Sequence, residues 1–341
     1  MATPFFFCRR SGQECLRPFV VLLVLLSGRT SGLLVARPQS RRCVPHRGAA
    51  IDENDVSRYR FDGTERLYGS SAMAVLEKSR VVICGLGGVG SWAAEALARS
   101  GVGALRLVDL DEICVSNVNR QVHALETTVG LPKATVLAAR CRLINPQLKV
   151  EAILDFVDKD NAKRLLVDDF DVVVDAVDSV QDKAAIMETC LKTNRALVTI
   201  GGAGGRVDPT LVRIQENSDL LWLGDRLLKS LRKLLKTDHA ISARAAAAVY
   251  SLEKPQKLPE NSLRTTGCDQ GYGTAAFVTA AFGMAAAKAT IDILLRNHIS
   301  TAQPLLEETK QPLIFDDDND AAAEEEEPFI ELDCPCSDFD S

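Results

Sequence analysis

The hexapeptide Gly85-Leu-Gly87-Gly88-Val-Gly90 follows the apolar run Val81–Cys84 directly and opens the helical stretch Ser91–Arg99. A strand that turns through closely spaced glycines into a helix lets the backbone approach a phosphate, and it aims the first helical N–H groups at it. The surroundings extend the pattern. Strands are expected at Val81–Cys84, Leu105–Asp109, Val150–Phe156, Val172–Val177 and Leu197–Ile200, with helices at Ser91–Arg99, Lys133–Leu143 and Lys183–Thr193. Strand–helix alternation implies parallel pairing with right-handed crossovers. The expected fold is therefore α/β, a doubly wound, mainly parallel sheet of Rossmann type. Gly201–Gly205 (GGAGG) interrupts the alternation. Beyond it a strand is expected at Leu211–Ile214, a leucine-rich helix at Leu220–Lys236 and an alanine-rich helix over Thr274–Leu295, a C-terminal helical extension.

Charge matters mainly at the two ends. Residues 1–50 carry eight arginines against the single acid Glu14, while residues 316–341 carry twelve acids and no base. The formal charge of -6 therefore hides a nearly neutral middle, and no whole-protein charge argument applies to it. Near the start, Arg9, Arg10 and Arg17 precede the apolar run Phe19–Leu26. That run is far short of the roughly 20 residues a membrane span needs, and it suits the core of a secretory-type leader. The stretch Arg29–Arg47 is arginine-rich, acid-free and contains serine, like an organelle transit peptide. Residues 1–50 thus read as a cleavable or anchoring targeting leader, addressed to a plastid by signal-plus-transit form or to a mitochondrion. Anchoring at an organelle membrane surface is the alternative. Residues 51–300 read as the working domain and 301–341 as an acidic, disordered tail. The ten cysteines include no C-x-x-C pair, so no structural zinc is expected.

Asp109, at the end of the second strand, is well placed to take a ribose hydroxyl. To that point NAD and ATP fit equally well. The following loop, Asp109-Leu-Asp111-Glu-Ile-Cys-Val-Ser116-Asn117-Val-Asn119-Arg120-Gln121, favours ATP. A dehydrogenase gains little from Arg120 there, because the glycine turn already holds its pyrophosphate. An enzyme that transfers an adenylyl group must hold three phosphates and steady a departing pyrophosphate, which gives Arg120 and Lys133 work. Asp178, followed by Ser179 after the fourth strand, can hold magnesium among the phosphates.

Together, GLGGVGSW, VDLDEICVSNVNRQ, Lys133 and DAVDS resemble the adenylating domain of the ubiquitin-activating-enzyme-like superfamily, which includes ThiF- and MoeB-type proteins. Within it, RYRFDGTERLYG (58–69), NRQVHAL (119–125), VTIGGAGGRVDPT (198–210) and GCDQGYGTAAFVTAAFG (267–283) are similar to the tRNA threonylcarbamoyladenosine dehydratases. The resemblance covers residues 56–297. It implies an ATP-dependent enzyme that adenylates the carboxylate of a modified adenosine in tRNA and closes a ring with loss of water. It also implies a homodimer. Under it, Gly85, Gly87, Gly88 and Gly90 approach the phosphates and Asp109 takes the ribose. Ser116, Asn117, Arg120, Gln121 and Lys133 surround the phosphates, and Asp178 with Asp111 serves magnesium. Arg60 or Arg66 corresponds to an arginine that reaches the ATP of the other subunit.

Three features stay open in the sequence. Cys268, before the glycine-rich start of the last helix, is a candidate acyl acceptor if the thiolate is favoured there; relatives that activate a ubiquitin-like or sulfur-carrier protein use such a cysteine, and that activity with its carrier partner is the alternative reading. His123 could act in catalysis or simply be structural. Along 220–236 leucines form one stripe, with Arg226, Lys229, Lys233 and Lys236 mostly off it, which fits either an ordinary surface helix or a face that tracks tRNA phosphates. An NAD-dependent dehydrogenase is the third reading, and it leaves Arg120, Lys133 and Asp178 without a purpose.

Overall fold

The computed structural model describes residues 59–167, 170–216, 225–235, 246–256 and 272–299, all within one compact unit, Asp52–Ser341. Among the described residues seven strands form one sheet in the order β3-β2-β1-β4-β5-β7-β6. They are β1 Arg80–Cys84, β2 Ala104–Val108, β3 Lys149–Ile153, β4 Val172–Asp175, β5 Ala196–Ile200, β6 Val212–Glu216 and β7 Ala246–Ser251. Of these described strands only β6 runs against its neighbour, in register Ile214 to Val249; the other pairings are parallel. The helices, in chain order, are α1 Asp62–Tyr68, α2 Ser70–Leu76, α3 Gly90–Arg99, α4 Lys133–Ile144, α5 Ala162–Leu166, α6 Val180–Lys192, α7 Arg226–Leu235 and α8 Ala276–Ile299.

The central strands are apolar on both sides, as strands covered on both faces must be. Val81 and Ile83 of β1 join the core beneath α3, α4 and α8, while Val82 and Cys84 join the opposite core beneath α5, α6 and α7. Helices α3 and α4 connect strands toward the β3 edge, and α5 and α6 connect strands toward the other. The order of strands therefore reverses between β1 and β4. A crevice opens at such a switch point, above the carboxyl ends of the strands.

The doubly wound sheet and the C-terminal helix are as the sequence implies. β7 is a difference: its core is Ala246-Ala-Ala-Val249-Tyr250, and alanine is a poor strand former. Burial overrides that preference, since Ala246, Ala247, Ala248 and Val249 are all buried between β5 and β6 with α8 alongside. The third strand ends at Ile153 rather than Phe156, and the fourth at Asp175 rather than Val177. Of the leucine-rich helix, Arg226–Leu235 is described; Leu220, Leu223 and Lys236 lie outside the described residues, as do Cys268, the leader and the acidic tail. Among the described residues α8 is apolar and long enough to cross a membrane. It is instead a core helix, burying Val278, Phe282, Ala286, Ala287, Ala289, Ile291 and Leu295. At Gly283 a side chain would come within 2.6 Å of Trp92 Cβ and 2.7 Å of the Val89 carbonyl, so glycine allows α8 to lie directly on α3.

Candidate active site

A cavity of about 680 Å³ sits at the switch point. Gly85, Gly87, Gly88, Asp109, Asp111, Asn117, Arg120, Gln121, Lys133, Asp178 and Ser179 all line it. They come from five places in the chain: the turn after β1, the end of β2, the loop beyond it, the start of α4 and the end of β4. Gly90 and Ser116 do not line the cavity, and neither do Arg60 and Arg66 of the same chain. Arg60 donates from Nη1 to the Ile144 carbonyl at 2.7 Å, and Arg66 pairs with Asp62 at 3.0 Å one turn away.

The glycines of the turn divide the work. Gly85 has φ +82, and a Cβ there would meet the Ala176 carbonyl oxygen at 2.8 Å. A Cβ on Gly90 would lie 1.9 Å from the Gly85 carbonyl oxygen. Both glycines are thus needed for the turn to close on itself. Nothing lies within 4 Å of where a Gly87 side chain would go, so that glycine leaves room for something other than protein.

Asp109 accepts from Leu86 N–H at 2.6 Å through Oδ2 and from Asp111 N–H at 2.9 Å through Oδ1. Burial raises its pKa above the ordinary aspartate value, against the opposing pull of Lys133 Nζ, 3.9 Å away. Lys133 is itself buried at the first residue of α4, and its ammonium donates to Asp111 Oδ2 at 2.6 Å. Its N–H donates to the Asp111 carbonyl at 3.0 Å. The loop after β2 is thereby tied to α4, and Asp111 holds Lys133 toward the cavity. Arg120 Nη1 donates to the Ser116 carbonyl and to Asn119 Oδ1, while the Arg120 carbonyl accepts from Trp92 Nε1 at 3.0 Å. Asn117, also buried, accepts from Cys114 N–H at 3.0 Å and closes the short 3₁₀ turn Val115–Asn117. Gln121 Oε1 is buried at the cavity without a hydrogen-bond partner among the described residues.

Beneath the site lie residues that sequence reading did not single out. Asp175 and Lys183 are fully buried, paired at 2.7 Å, and Thr199 Oγ1 donates to the same Asp175 oxygen at 2.8 Å. Desolvation raises the Asp175 pKa, and Lys183 opposes it. The trio braces the turn that carries Asp178. A second buried pair, Arg206–Asp225 at 2.8 Å, pins the GGAGG turn. Arg206 donates to the carbonyls of Gly202, Gly204 and Glu253, and Asp225 accepts from Gly202 N–H and caps α7 through Leu227 and Leu228 N–H. A side chain at Gly201 would meet Asp225 Cγ at 2.7 Å. The available signals were a lysine four residues after DAVDS and an aspartate within the leucine-rich stretch; neither says which buried partner it meets.

His123 does not line the cavity. It is buried with neither ring nitrogen partnered among the described residues. Burial, with the charges of Lys133 and Arg140, pushes its pKa down to about 4, so it stays neutral. Burial likewise pushes up the thiols of Cys84, Cys141 and Cys190, the last two to about 12, leaving them inert at neutral pH.

Six carboxylates line the cavity among the described residues (Asp109, Asp111, Glu112, Asp155, Asp178 and Asp182) against the two cations Arg120 and Lys133. A glycine turn, the aspartate after β2 and two cations meet at a Rossmann switch point, the arrangement of a nucleotide-dependent adenylating fold. The chain belongs to the ThiF family, whose model matches residues 63–317. It is 41% identical over 249 residues to the tRNA threonylcarbamoyladenosine dehydratase of Escherichia coli, covering 68% of this chain and 92% of that protein. It is 36% identical over 212 residues to the Bacillus subtilis protein of that name, covering 62% and 82% respectively. The crystal structure of the E. coli tRNA N6-threonylcarbamoyladenosine dehydratase in complex with ATP superposes with a TM-score of 0.63 at 38% identity, covering 73% of this chain and 98% of that one.

Proposed function

We propose that the protein is an ATP-dependent dehydratase acting on threonylcarbamoyladenosine in tRNA. The observation that carries this reading is the single cavity in which the glycine turn, Asp109, Arg120, Lys133 and Asp178 converge, in a chain similar to the bacterial dehydratases over nearly their whole length. A carboxylate is a poor acyl donor because oxide would have to leave. One of its oxygens attacks the α-phosphorus of ATP, the bond from that phosphorus to the bridging oxygen breaks, and pyrophosphate departs. An internal nucleophile of the same side chain then attacks the activated carbonyl, AMP leaves and a ring closes. The oxygen of the lost water departs in the AMP phosphate.

The protein supplies position and charge rather than covalent chemistry. The N–H groups around Gly87 take phosphate oxygens, Asp109 takes the ribose, and Arg120 and Lys133 offset the charge that grows on the leaving pyrophosphate. Magnesium fits this donor set. Among the described residues no group of three or more His, Cys, Asp or Glu could hold a metal alone, but magnesium bound with a nucleotide needs only one or two carboxylates besides phosphate and water. Asp178 would hold the ion, with Asp111 as a second candidate whose ion pair with Lys133 occupies one oxygen. Bound there, magnesium would shield the triphosphate from the six carboxylates.

Two wider features belong to the same proposal. The working form is a homodimer in which Arg60 or Arg66 serves the partner's ATP, and residues 1–50 direct the protein to an organelle. The test of the activity is to incubate the protein with ATP, magnesium and threonylcarbamoylated tRNA and weigh the nucleoside. Loss of one water is expected. AMP formation that depends instead on a carrier protein, with no change in nucleoside mass, replaces this reading with carrier activation.

A further inference from the structure

At the end of the cavity away from Asp109, the residues of the GGAGG turn meet the start of α7 and the segment before α8. Gly201, Gly202, Ala203, Leu227 and Thr274 line that end. Just outside it, Arg226 Nη1 donates to the Tyr272 hydroxyl at 2.8 Å. The Tyr272 ring lies on the glycine turn: a side chain at Gly204 would meet its Cβ at 2.9 Å, and one at Gly205, where φ is +73, would meet its Cδ1 at 2.8 Å. Tyr272 as a whole is 43% exposed.

From this corner α7 leads away with one face buried and one charged. Leu228 and Leu231 are buried, while Arg226, Lys229 and Lys233 are exposed at positions i, i+3 and i+7, which share a helix face. No acid occurs in Arg226–Leu235. A cavity rich in carboxylates thus opens onto a strip that carries only positive charge and an exposed aromatic ring.

We propose that Tyr272 with Arg226, Lys229 and Lys233 forms the docking strip for the RNA segment flanking the nucleoside to be activated. The inference rests on the dehydratase reading and locates its second substrate. The nucleotide half of the cavity lies over β1 and β2, so the acceptor carboxylate arrives over β5 and the GGAGG turn. The lysines take backbone phosphates and Tyr272 stacks on an unpaired base, the combination that single-stranded nucleic acid requires. The Arg226–Tyr272 hydrogen bond keeps the ring upright at the entrance, and the Arg206–Asp225 pair fixes the turn beneath it.

The strip is tested on the full chain with fluorescently labelled, threonylcarbamoylated tRNA, reading binding by anisotropy over a salt series and turnover separately. In Lys229→Gln/Lys233→Gln the log–log salt slope should fall by about 1.4, two single-strand phosphate contacts at roughly 0.7 each. ATP affinity should not change. Tyr272→Ala should weaken tRNA binding about tenfold, and Tyr272→Phe should weaken it less, since the ring remains for stacking although it loses the hydrogen bond from Arg226. A slope and affinity equal to wild type in the double variant overturn the proposal. So does weakened binding of polyglutamate in parallel with RNA while Tyr272→Ala binds normally, because the strip would then be an unselective anion site. Wild-type protein that binds tRNA through these residues without dehydrating it overturns the dehydratase reading alone.

Discussion

Gly87 and Gly90 stand three residues apart in one turn, yet alanine should act on them in opposite ways. At Gly90 a methyl group would lie 1.9 Å from the Gly85 carbonyl oxygen, a backbone atom that cannot rotate away. The turn would have to open, and overpacking of that kind costs about 1–3 kcal/mol or more. For a domain of this size each kcal/mol lowers the melting temperature by roughly 2–4 °C, so Gly90→Ala should melt about 6–12 °C lower at the upper end of that range. At Gly87 the new methyl group meets nothing within 4 Å. Stability should hold or rise by a few tenths of a kcal/mol, as expected when the unfolded chain loses freedom and the native backbone accepts the residue. The methyl does occupy the space where a phosphate must approach the N–H groups. Losing one or two charge-assisted hydrogen bonds, about 1.5–3 kcal/mol each, should raise the KM for ATP at least tenfold. Thermal melting and AMP formation, measured on both variants, read the two effects separately. A Gly87→Ala protein with wild-type melting and wild-type KM would refute the assignment of this space to the nucleotide. A Gly90→Ala protein that melts normally would refute the division of labour within the turn.

Asp178→Ala should abolish AMP formation with an unchanged melting curve; normal turnover would remove the carboxylate from the phosphate site. Lys183→Met leaves the Asp175 charge buried without its partner and should destabilise by about 3–5 kcal/mol, read by urea denaturation, whereas the double change Asp175→Leu/Lys183→Met should recover much of that loss. Glu95 titrates below its ordinary value: burial alone would raise it, but hydrogen bonds from Arg140 and Arg99 together prevail. A lowered folded pKa gives stability that is present above the unfolded glutamate value, near 4.5, and lost as pH falls through the lower folded value. Glu95→Gln should therefore flatten the acid limb of a stability–pH curve and leave neutral pH behaviour otherwise similar apart from a constant offset.

The sequence was most legible where each residue answers to one constraint. Parallel strands buried on both faces need continuous apolar runs, so β1, β4 and β5 stand out, and the turn between β1 and α3 is marked by glycines whose lack of a side chain is required. Legibility fails where residues are chosen by what packs across from them. β7 opens with three alanines that are buried against the cores on both faces of the sheet, and nothing in an alanine run distinguishes that from a helix. Lys183 sits in a helical pattern as an ordinary polar residue would; its burial opposite Asp175 depends on the spacing of β4 and α6 in three dimensions. Arg206 and Asp225 are nineteen residues apart and share no local signal. The nucleotide end of the cavity was readable because its residues follow strand ends in a fixed order. The Tyr272 corner was not, because it is assembled from three distant segments.

Helix α8 imposes an order on how this molecule can come into being. It is synthesised after all seven strands, yet Val278, Phe282 and Ala286 complete the core above the first of them, and the Thr279 hydroxyl reaches the carbonyl of Arg120 at 3.4 Å. A nascent chain that has made the whole sheet still presents an open apolar face and an unfinished phosphate loop. During that interval a 24-residue segment composed like a membrane span has yet to be covered, and transiently exposed apolar surface of that kind is what makes a nascent chain prone to aggregate.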